Sequence, residues 1–170
     1  MPFANVSLTY LPLYGVRRSE NRIVVLGQGV EVEVDTETGM LRVLKTVCAV
    51  DGGHLINPML SEGQIQGSVA QALGAAIFEE VLYDQKGTPL TKSFSDYHIY
   101  NALDMPEMLT TLIETSDSSV PFGTKSVSEV VFNGMAPAIA NAVANALGTR
   151  IRHLPMTPER ILRAIHASKK

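Results

Sequence analysis

The feature that most constrains the fold is a stretch of strict alternation. Across residues 29–35, written GVEVEVD, apolar residues alternate with acidic ones. A period of two is typical of a β-strand with one face in water, because successive side chains point to opposite faces. Residues 36–39 supply a turn, and residues 41–50 are β-branched and apolar on both faces. The pattern predicts a β-hairpin whose second strand is the more buried.

A helical period begins after the sequence Ile56-Asn57-Pro58. Apolar residues recur there at every fourth position: Ile65, Val69, Leu73 and Ile77. Another face of the same helix carries small or polar residues: Gly63, Gly67, Gln71 and Gly74. Small residues let a flat ligand or another backbone approach closely, and tight packing on a neighbouring strand explains the pattern equally well. Both interpretations stay open at this point.

Further elements follow along the chain. We expect an extended segment at residues 78–83, a turn at 84–87 and a strand at 110–115. A helix through Glu129 should reach Leu147, with Gly148 placed to stop it and Pro137 either beginning or kinking it. The last helix should begin after Thr157 as N-cap and run to about residue 167.

The order of these elements predicts the fold class. Strands followed by a mixture of helices and strands, with no regular βαβ repeat, favour an α+β fold. We therefore expect a β-hairpin and a mixed sheet packed with several helices. Residues 1–22 should form an irregular or extended lead-in, and residues 23–170 a single domain, because a chain of 170 residues can bury a core.

Charge and cysteine content narrow the classes of function. Fourteen Lys and Arg against 17 Asp and Glu give a net charge of −3, without a basic stripe, so we expect no nucleic-acid partner. The single cysteine, Cys48, excludes an internal disulfide and favours a reducing compartment, the cytoplasm. No apolar run approaches the 18 or so residues of a membrane span, so we expect a soluble protein without membrane contact.

Common catalytic motifs do not account for the sequence. Its histidines, at positions 54, 98, 153 and 166, stand far apart, which disfavours a metal held directly by side chains. The glycine pattern matches neither a serine-hydrolase elbow nor a dinucleotide or P-loop fingerprint.

Several strings in a fixed order do carry a resemblance. They are DGGHLINP at 51–58, GQIQG at 63–67, QALG at 71–74, EE at 79–80, FSDY at 94–97, DMP at 104–106, PFGTKSVSE at 121–129, APAIANA at 136–142 and LPMTPERIL at 154–162. Together they resemble the C-terminal part of the molybdenum-binding subunit of the xanthine dehydrogenase and aldehyde oxidase family. The resemblance runs from about Val30 to the last helix.

The resemblance implies a molybdenum hydroxylase, which adds a water-derived oxygen to an aromatic heterocycle or an aldehyde. In that family, the carboxylate that ends the string Gly-x-Lys-Gly-x-Gly-Glu acts as general base, and Glu129 occupies its place. Ser126 or Ser128 could cap the following helix, whose free N–H groups favour an ionised carboxylate. Without the resemblance, Glu129 would be interpreted as a first-turn glutamate that stabilises a helix.

The resemblance also implies residues that bind the cofactor, molybdopterin with molybdenum. Gln64 stands where the family contacts the pterin, and Ser95 is near a second such position. The resemblance also assigns Gly63, Ser126 and Ser128 to cofactor binding. From the residues alone, Gln64 and Ser95 would be ordinary polar positions. Lys125 could attract phosphate or substrate charge, although a solvated surface lysine is commoner. The pair at 79–80 is interpreted as a wet strand edge.

Two departures from the family leave two functions open. Ser126 and Ser128 replace glycines, and the family's subunit is several times longer than this chain. The first interpretation is a fragment or split subunit that supplies the base beside the remaining molybdenum-binding region, with FAD and iron–sulfur clusters on other subunits or domains. The second is a non-catalytic remnant or assembly module. In either case we expect partner binding or self-association.

Overall fold

The computed structural model describes residues 3–5, 11–17 and 22–168. Its sheet contains five strands within these residues: β1 (Phe3–Asn5), β2 (Leu11–Arg17), β3 (Arg22–Asp35), β4 (Leu41–Asp51) and β5 (Glu107–Ile113). Strand β3 pairs antiparallel with β4 along one edge and with β1 and β2 along the other. Strand β5 runs parallel to β4 and completes a mixed sheet.

The predicted hairpin is confirmed by β3 and β4. Val30, Val32 and Val34 are fully buried while the acidic residues between them are half-buried, so the alternation does separate two faces. In the turn, Asp35 Oδ1 accepts hydrogen bonds from the backbone N–H groups of residues 37 and 38. Gly39 follows with a φ of +77°, a conformation that few other residues adopt readily.

Of the two forms expected for residues 1–22, irregular or extended, the described segments β1 and β2 have the extended form and are regular strands, while residues 1–2, 6–10 and 18–21 lie outside the described residues. Both pair with β3, which begins at Arg22 and is therefore long enough to offer an edge to each. Pairing of this kind depends on contacts between distant segments, so the local sequence pattern did not indicate it.

Three α-helices complete the fold in the described part of the chain: α1 (Pro58–Ile77), α2 (Glu129–Leu147) and α3 (Pro158–Ser168), with a short 3-10 helix at Pro121–Gly123. The predicted apolar stripe of α1 is buried, with every one of its four residues no more than 2% exposed. Helix α2 contacts both β3 and α1, and α1 also contacts β5. The core therefore lies between the sheet and the pair α1 and α2, and the expected α+β class is confirmed.

The ends of α2 and α3 follow the predicted signals in part. Gly148 ends α2 in the left-handed conformation, with a φ of +68°. Pro137 lies inside α2 rather than at its start. Thr157 Oγ1 accepts a 3.4 Å hydrogen bond from the backbone N–H of Arg160, as expected of an N-cap.

Helix α2 is also the one described helix that is long and apolar enough to cross a membrane by length and composition. Core helices pass the same test, and α2 buries seven of its residues against the rest of the fold: Val131, Gly134, Met135, Ala138, Ile139, Ala142 and Val143.

The segment between α1 and β5 differs from expectation. Residues 78–83 do not form a strand; Tyr83 makes a single bridge to Pro89. Val81 and Leu82 are exposed, so they bury little apolar surface, and the pairing across the following turn does not extend beyond this bridge and a 2.7 Å hydrogen bond from the Leu90 N–H to the Leu82 carbonyl oxygen. The turn at 84–87 is confirmed, since Asp84 Oδ1 accepts hydrogen bonds from the N–H groups of residues 86 and 88. The strand expected at 110–115 is present as β5 and begins at Glu107.

Candidate functional site

The candidate site lies at the start of α2, where Glu129 is the first helical residue. The Ser126 hydroxyl donates a 2.5 Å hydrogen bond to Glu129 Oε2, and both residues are exposed. This hydrogen bond, followed by one from the backbone N–H of Glu129 itself, lowers the pKa of the Glu129 carboxyl against a small opposing effect of burial. Glu129 is therefore an accessible carboxylate that is ionised at neutral pH.

The expectation that Ser126 or Ser128 caps α2 through its hydroxyl is wrong. Ser128 stands at the N-cap position but makes no side-chain capping bond. Its hydroxyl instead lies 2.7 Å from that of Ser68, a buried residue of α1. The hydroxyl of Ser126 donates its hydrogen bond to the carboxylate of Glu129. The two serines thus serve a side chain and a neighbouring helix rather than the free N–H groups of α2.

A partly buried ion pair fixes the loop that leads to Glu129. Lys125 Nζ lies 2.7 Å from Asp51 Oδ2 at the end of β4, and the two side chains are 12% and 9% exposed. Asp51 Oδ1 also accepts hydrogen bonds from Thr115 Oγ1 at 2.7 Å and from the N–H of Gly53 at 3.0 Å. Burial alone would raise the pKa of Asp51. The hydrogen bonds from Lys125, Thr115 and Gly53 together outweigh this effect, so the pKa of Asp51 is lowered. Lys125 is therefore not a solvated surface lysine, whereas a role in attracting phosphate or substrate charge stays a prediction.

Gln28 anchors the first turn of α2 to the sheet. Its Nε2 donates a 2.9 Å hydrogen bond to the carbonyl oxygen of Val131, and the side chain is only 1% exposed. Gln28 is not among the site residues that the sequence predicts. One feature of the sequence could have indicated it: residue 28 lies two positions from both Leu26 and Val30, so in a strand its polar side chain points to the same buried face as theirs. The start of α2 is thus held by β3, by the end of β4 and by α1.

The small-residue face of α1 separates into two parts. Gly63 and Gly67 are exposed, and a Cβ added to either would meet no atom within 4 Å. Gln64 is exposed beside them, and its side-chain amide makes no hydrogen bond to the described residues. Gly74, by contrast, is close-packed, since an added Cβ would collide with the carboxylate of Glu79. The first part is an exposed surface, and the approach of a ligand to it stays a prediction. The second part is packed, but against a side chain of the segment after α1 rather than against a neighbouring strand.

Within the described residues, no hydrogen bond connects Ser95 to the other candidate site residues. It is exposed, and its N–H donates a 3.2 Å hydrogen bond to Ser93 Oγ. Its loop is attached to the far end of α1, where the Tyr97 hydroxyl donates a 2.6 Å hydrogen bond to Glu79 Oε2. Gln64 lies 13 residues before the end of that helix, roughly 20 Å along its axis.

The acidic pair that was interpreted as a wet strand edge is not on a strand. Glu79 accepts the hydrogen bond from Tyr97, and Glu80 Oε1 pairs with Arg160 Nη2 at 2.7 Å. These contacts tie the segment after α1 to the loop and to α3. Within the described part of the chain, no group of three or more His, Cys, Asp and Glu residues could hold a metal ion.

Comparison with known proteins identifies the family. Residues 14–106 match the model of the molybdopterin cofactor-binding domain. The chain belongs to this family. It is 42% identical over 136 residues to probable hypoxanthine oxidase XdhD of Escherichia coli, a match that covers 79% of this chain and 14% of that protein. The matched part of this chain therefore spans about one seventh of the length of this relative.

Solved structures show the same relationship for the fold. Quinoline 2-oxidoreductase from Pseudomonas putida superposes with a TM-score of 0.81 at 38% identity, over 85% of this chain and 19% of that one. The aldehyde oxidoreductase from Desulfovibrio desulfuricans gives a TM-score of 0.75 at 33% identity, over 84% and 15%. The resemblance to the molybdenum-binding subunit of the xanthine dehydrogenase and aldehyde oxidase family is thus confirmed.

Proposed function

We propose that this molybdopterin-domain chain is part of a molybdenum hydroxylase that oxidises an aromatic heterocycle or an aldehyde with oxygen derived from water. In this proposal, Glu129 is the general base, and Gly63 and Gln64 form part of the wall of the cofactor site. The observation that carries the proposal is the exposed, ionised carboxylate of Glu129 at the fixed start of α2. When bound, the molybdenum cofactor would supply the oxidising centre.

The residues present fit a flat, polar cofactor. The open surface at Gly63 and Gly67 allows close approach to the helix backbone. The exposed amide of Gln64 offers a donor and an acceptor beside it, which suits pterin edges or phosphate oxygens. The hydrogen bond between Ser68 and Ser128 joins α1 to the start of α2, so the two helices that carry Gln64 and Glu129 are in contact.

Glu129 would take up a proton as the water-derived oxygen attacks the electron-poor carbon of the substrate. A general base must be deprotonated before the reaction, and the lowered pKa of Glu129 satisfies this condition at neutral pH. Lys125 and Asp51 would keep the carboxylate in place, because they fix the loop four residues before it. Water exclusion and substrate binding would fall to the remaining part of the enzyme.

The assignments of the three serines to cofactor binding stay predictions. Ser126 and Ser128 already direct their hydroxyls to Glu129 and Ser68, so contact with a cofactor would add to these bonds. Ser95 would approach the cofactor only from the loop that follows α1.

We also propose the partners and the setting of the protein. The remaining molybdenum-binding region would bind this chain, and FAD and iron–sulfur clusters on other subunits or domains would carry the electrons. Exposed apolar side chains support partner binding or self-association, at the start of α1 and in the loop before β5: Ile56, Met59, Leu60, Phe94 and Leu103. The free thiol of Cys48 supports a reducing compartment, the cytoplasm.

The same exposed apolar side chains favour a second candidate function, a non-catalytic assembly module. The two candidates differ in whether Glu129 takes part in a reaction. The substitution Glu129→Gln in the complex with the remaining molybdenum-binding region separates them, because the amide keeps the size of the side chain but cannot act as a base. Turnover should fall about 100-fold to 10,000-fold, roughly 3 to 5 kcal/mol of barrier.

Glu159→Gln is the matched control, because Glu159 is likewise an exposed glutamate in the first turn of a helix, α3. Both variants should melt at nearly the wild-type temperature, since loss of a carboxylate from the start of α2 costs under about 1 kcal/mol. Hydroxylation rate, molybdenum content and melting temperature are measured together. Normal turnover of Glu129→Gln would refute the role as base, and loss of molybdenum would show a structural role instead.

A further inference from the structure

Ser126 stands where the family string has glycine, and its hydroxyl is bonded to the carboxylate of Glu129. We propose that Ser126 is a positioning residue that holds Glu129 Oε2, so that the other carboxylate oxygen takes the proton from the reacting group. This inference rests on the proposed role of Glu129 as base. Glycine at this position would provide no side-chain donor, so the interaction requires a residue that carries a hydroxyl there.

The loop that carries Ser126 is held in place by contacts of the preceding residue. The backbone N–H of its neighbour Lys125 donates a 2.9 Å hydrogen bond to the carbonyl oxygen of Gly52, and Lys125 Nζ binds Asp51. The hydroxyl therefore approaches Glu129 from a loop that is tied to the end of β4. In the described residues, Ser126 is the one side chain from another position that bonds this carboxylate.

Charged neighbours do not cause the lowered pKa of Glu129. Lys125, on the same loop, is committed to Asp51, and neither it nor Glu62 on α1 contributes to the shift of the Glu129 pKa. The hydroxyl of Ser126 is the largest cause of the lowered pKa, and the backbone N–H of Glu129 is the second. Removal of the hydroxyl should therefore raise the pKa of Glu129, whereas removal of another hydroxyl from the loop should leave it unchanged.

The first test uses the full chain and needs no cofactor. The pKa of the Glu129 carboxyl is measured by NMR titration in the wild type and in three variants, Ser126→Ala, Ser126→Thr and Thr124→Val. Thr124 is the matched control, because its hydroxyl donates to the carbonyl oxygen of Pro121 and not to Glu129. We expect a higher pKa in Ser126→Ala, a return toward the wild-type value in Ser126→Thr, and no change in Thr124→Val.

The second test uses the assembled enzyme. The acidic limb of the kcat/KM profile reports the pKa of the base in the free enzyme, so Ser126→Ala should move that limb to higher pH and Ser126→Thr should restore it. An unchanged Glu129 pKa in Ser126→Ala, an equal shift in Thr124→Val, or an unmoved acidic limb would each overturn the inference. The proposed function fails separately, if Glu129→Gln retains normal turnover.

Discussion

The substitution Lys125→Met tests how the start of α2 is fixed. Methionine keeps the length and apolar stem of the side chain but removes the charge that faces Asp51. The carboxylate of Asp51 would then remain nearly buried without its cation. An unpaired buried charge is costly, because it has given up water without receiving an equivalent partner.

The magnitude follows from what remains bonded to Asp51. Breaking a buried pair by removing one partner costs about 3 to 5 kcal/mol. Here the hydrogen bonds from Thr115 Oγ1 and the Gly53 N–H survive, so we expect the lower end, about 3 kcal/mol of unfolding free energy. The double variant Asp51→Asn with Lys125→Met removes both charges and should recover about half of that loss.

The assay is urea unfolding followed by circular dichroism. Arg42→Met is the control, since Arg42 pairs with Glu33 at 3.5 Å while its side chain is 68% exposed, and such pairs contribute about 0 to 1 kcal/mol. A loss in Lys125→Met no larger than that of Arg42→Met would refute the reasoning, as would a double variant that is less stable than Lys125→Met.

The dependence on pH has a definite sign. In the wild type, the pKa of Asp51 is lowered relative to the unfolded chain, so its stabilising contribution is present above the unfolded pKa and is lost as the pH falls through the folded pKa. In Lys125→Met the pKa of Asp51 should rise, so acid protonates it and relieves the unpaired charge. The stability difference between wild type and variant should therefore be smaller at about pH 3.5 than at about pH 7.

Two further substitutions test the fold around the site. Ser68→Ala removes the hydroxyl that joins α1 to Ser128 and should cost about 1 to 2 kcal/mol in urea unfolding; an unchanged midpoint would contradict a role for this contact. Gly39→Ala places a Cβ against the carbonyl oxygen of Pro158 at a φ of +77°, whereas Gly87→Ala meets no atom within 4 Å at a φ of +80°. Gly39→Ala should therefore be about 1 to 3 kcal/mol less stable than Gly87→Ala, and equal melting temperatures would refute the predicted collision.

Local patterns predicted the parts of the fold that depend on neighbouring residues. The alternation in 29–35 indicated β3, and the four-residue period indicated α1, because each pattern reports which side chains a single element buries. Strand β2 escaped prediction because its stability comes from β3, whose edge no local pattern reveals. Residues 78–83 failed in the opposite way: some of their side chains suit a strand, but the backbone pairs only at the single bridge from Tyr83 to Pro89.

The candidate site shows the same division. Resemblance to the family indicated Glu129, since a first-turn glutamate alone has no distinguishing pattern. The contacts that fix it join residues far apart in sequence: Lys125 is 74 residues from Asp51, and Gln28 is 103 residues from Val131. A single sequence carries no sign of such pairings beyond an unexpected polar residue in an apolar strand, and Gln28 was such a residue.

The buried cysteine gives this protein a site-specific measure of strand opening. Cys48 is 1% exposed in β4, its thiol accepts a 3.6 Å hydrogen bond from Gln28, and burial raises its pKa. Thiolates, not thiols, react with alkylating reagents, so modification should require the sheet to open at this position first. Because the sequence contains one cysteine, the alkylation rate reports opening at this position, and no further cysteine has to be introduced or removed. Wild type and Lys125→Met can be compared in this way under native conditions, where urea unfolding would detect only the global transition.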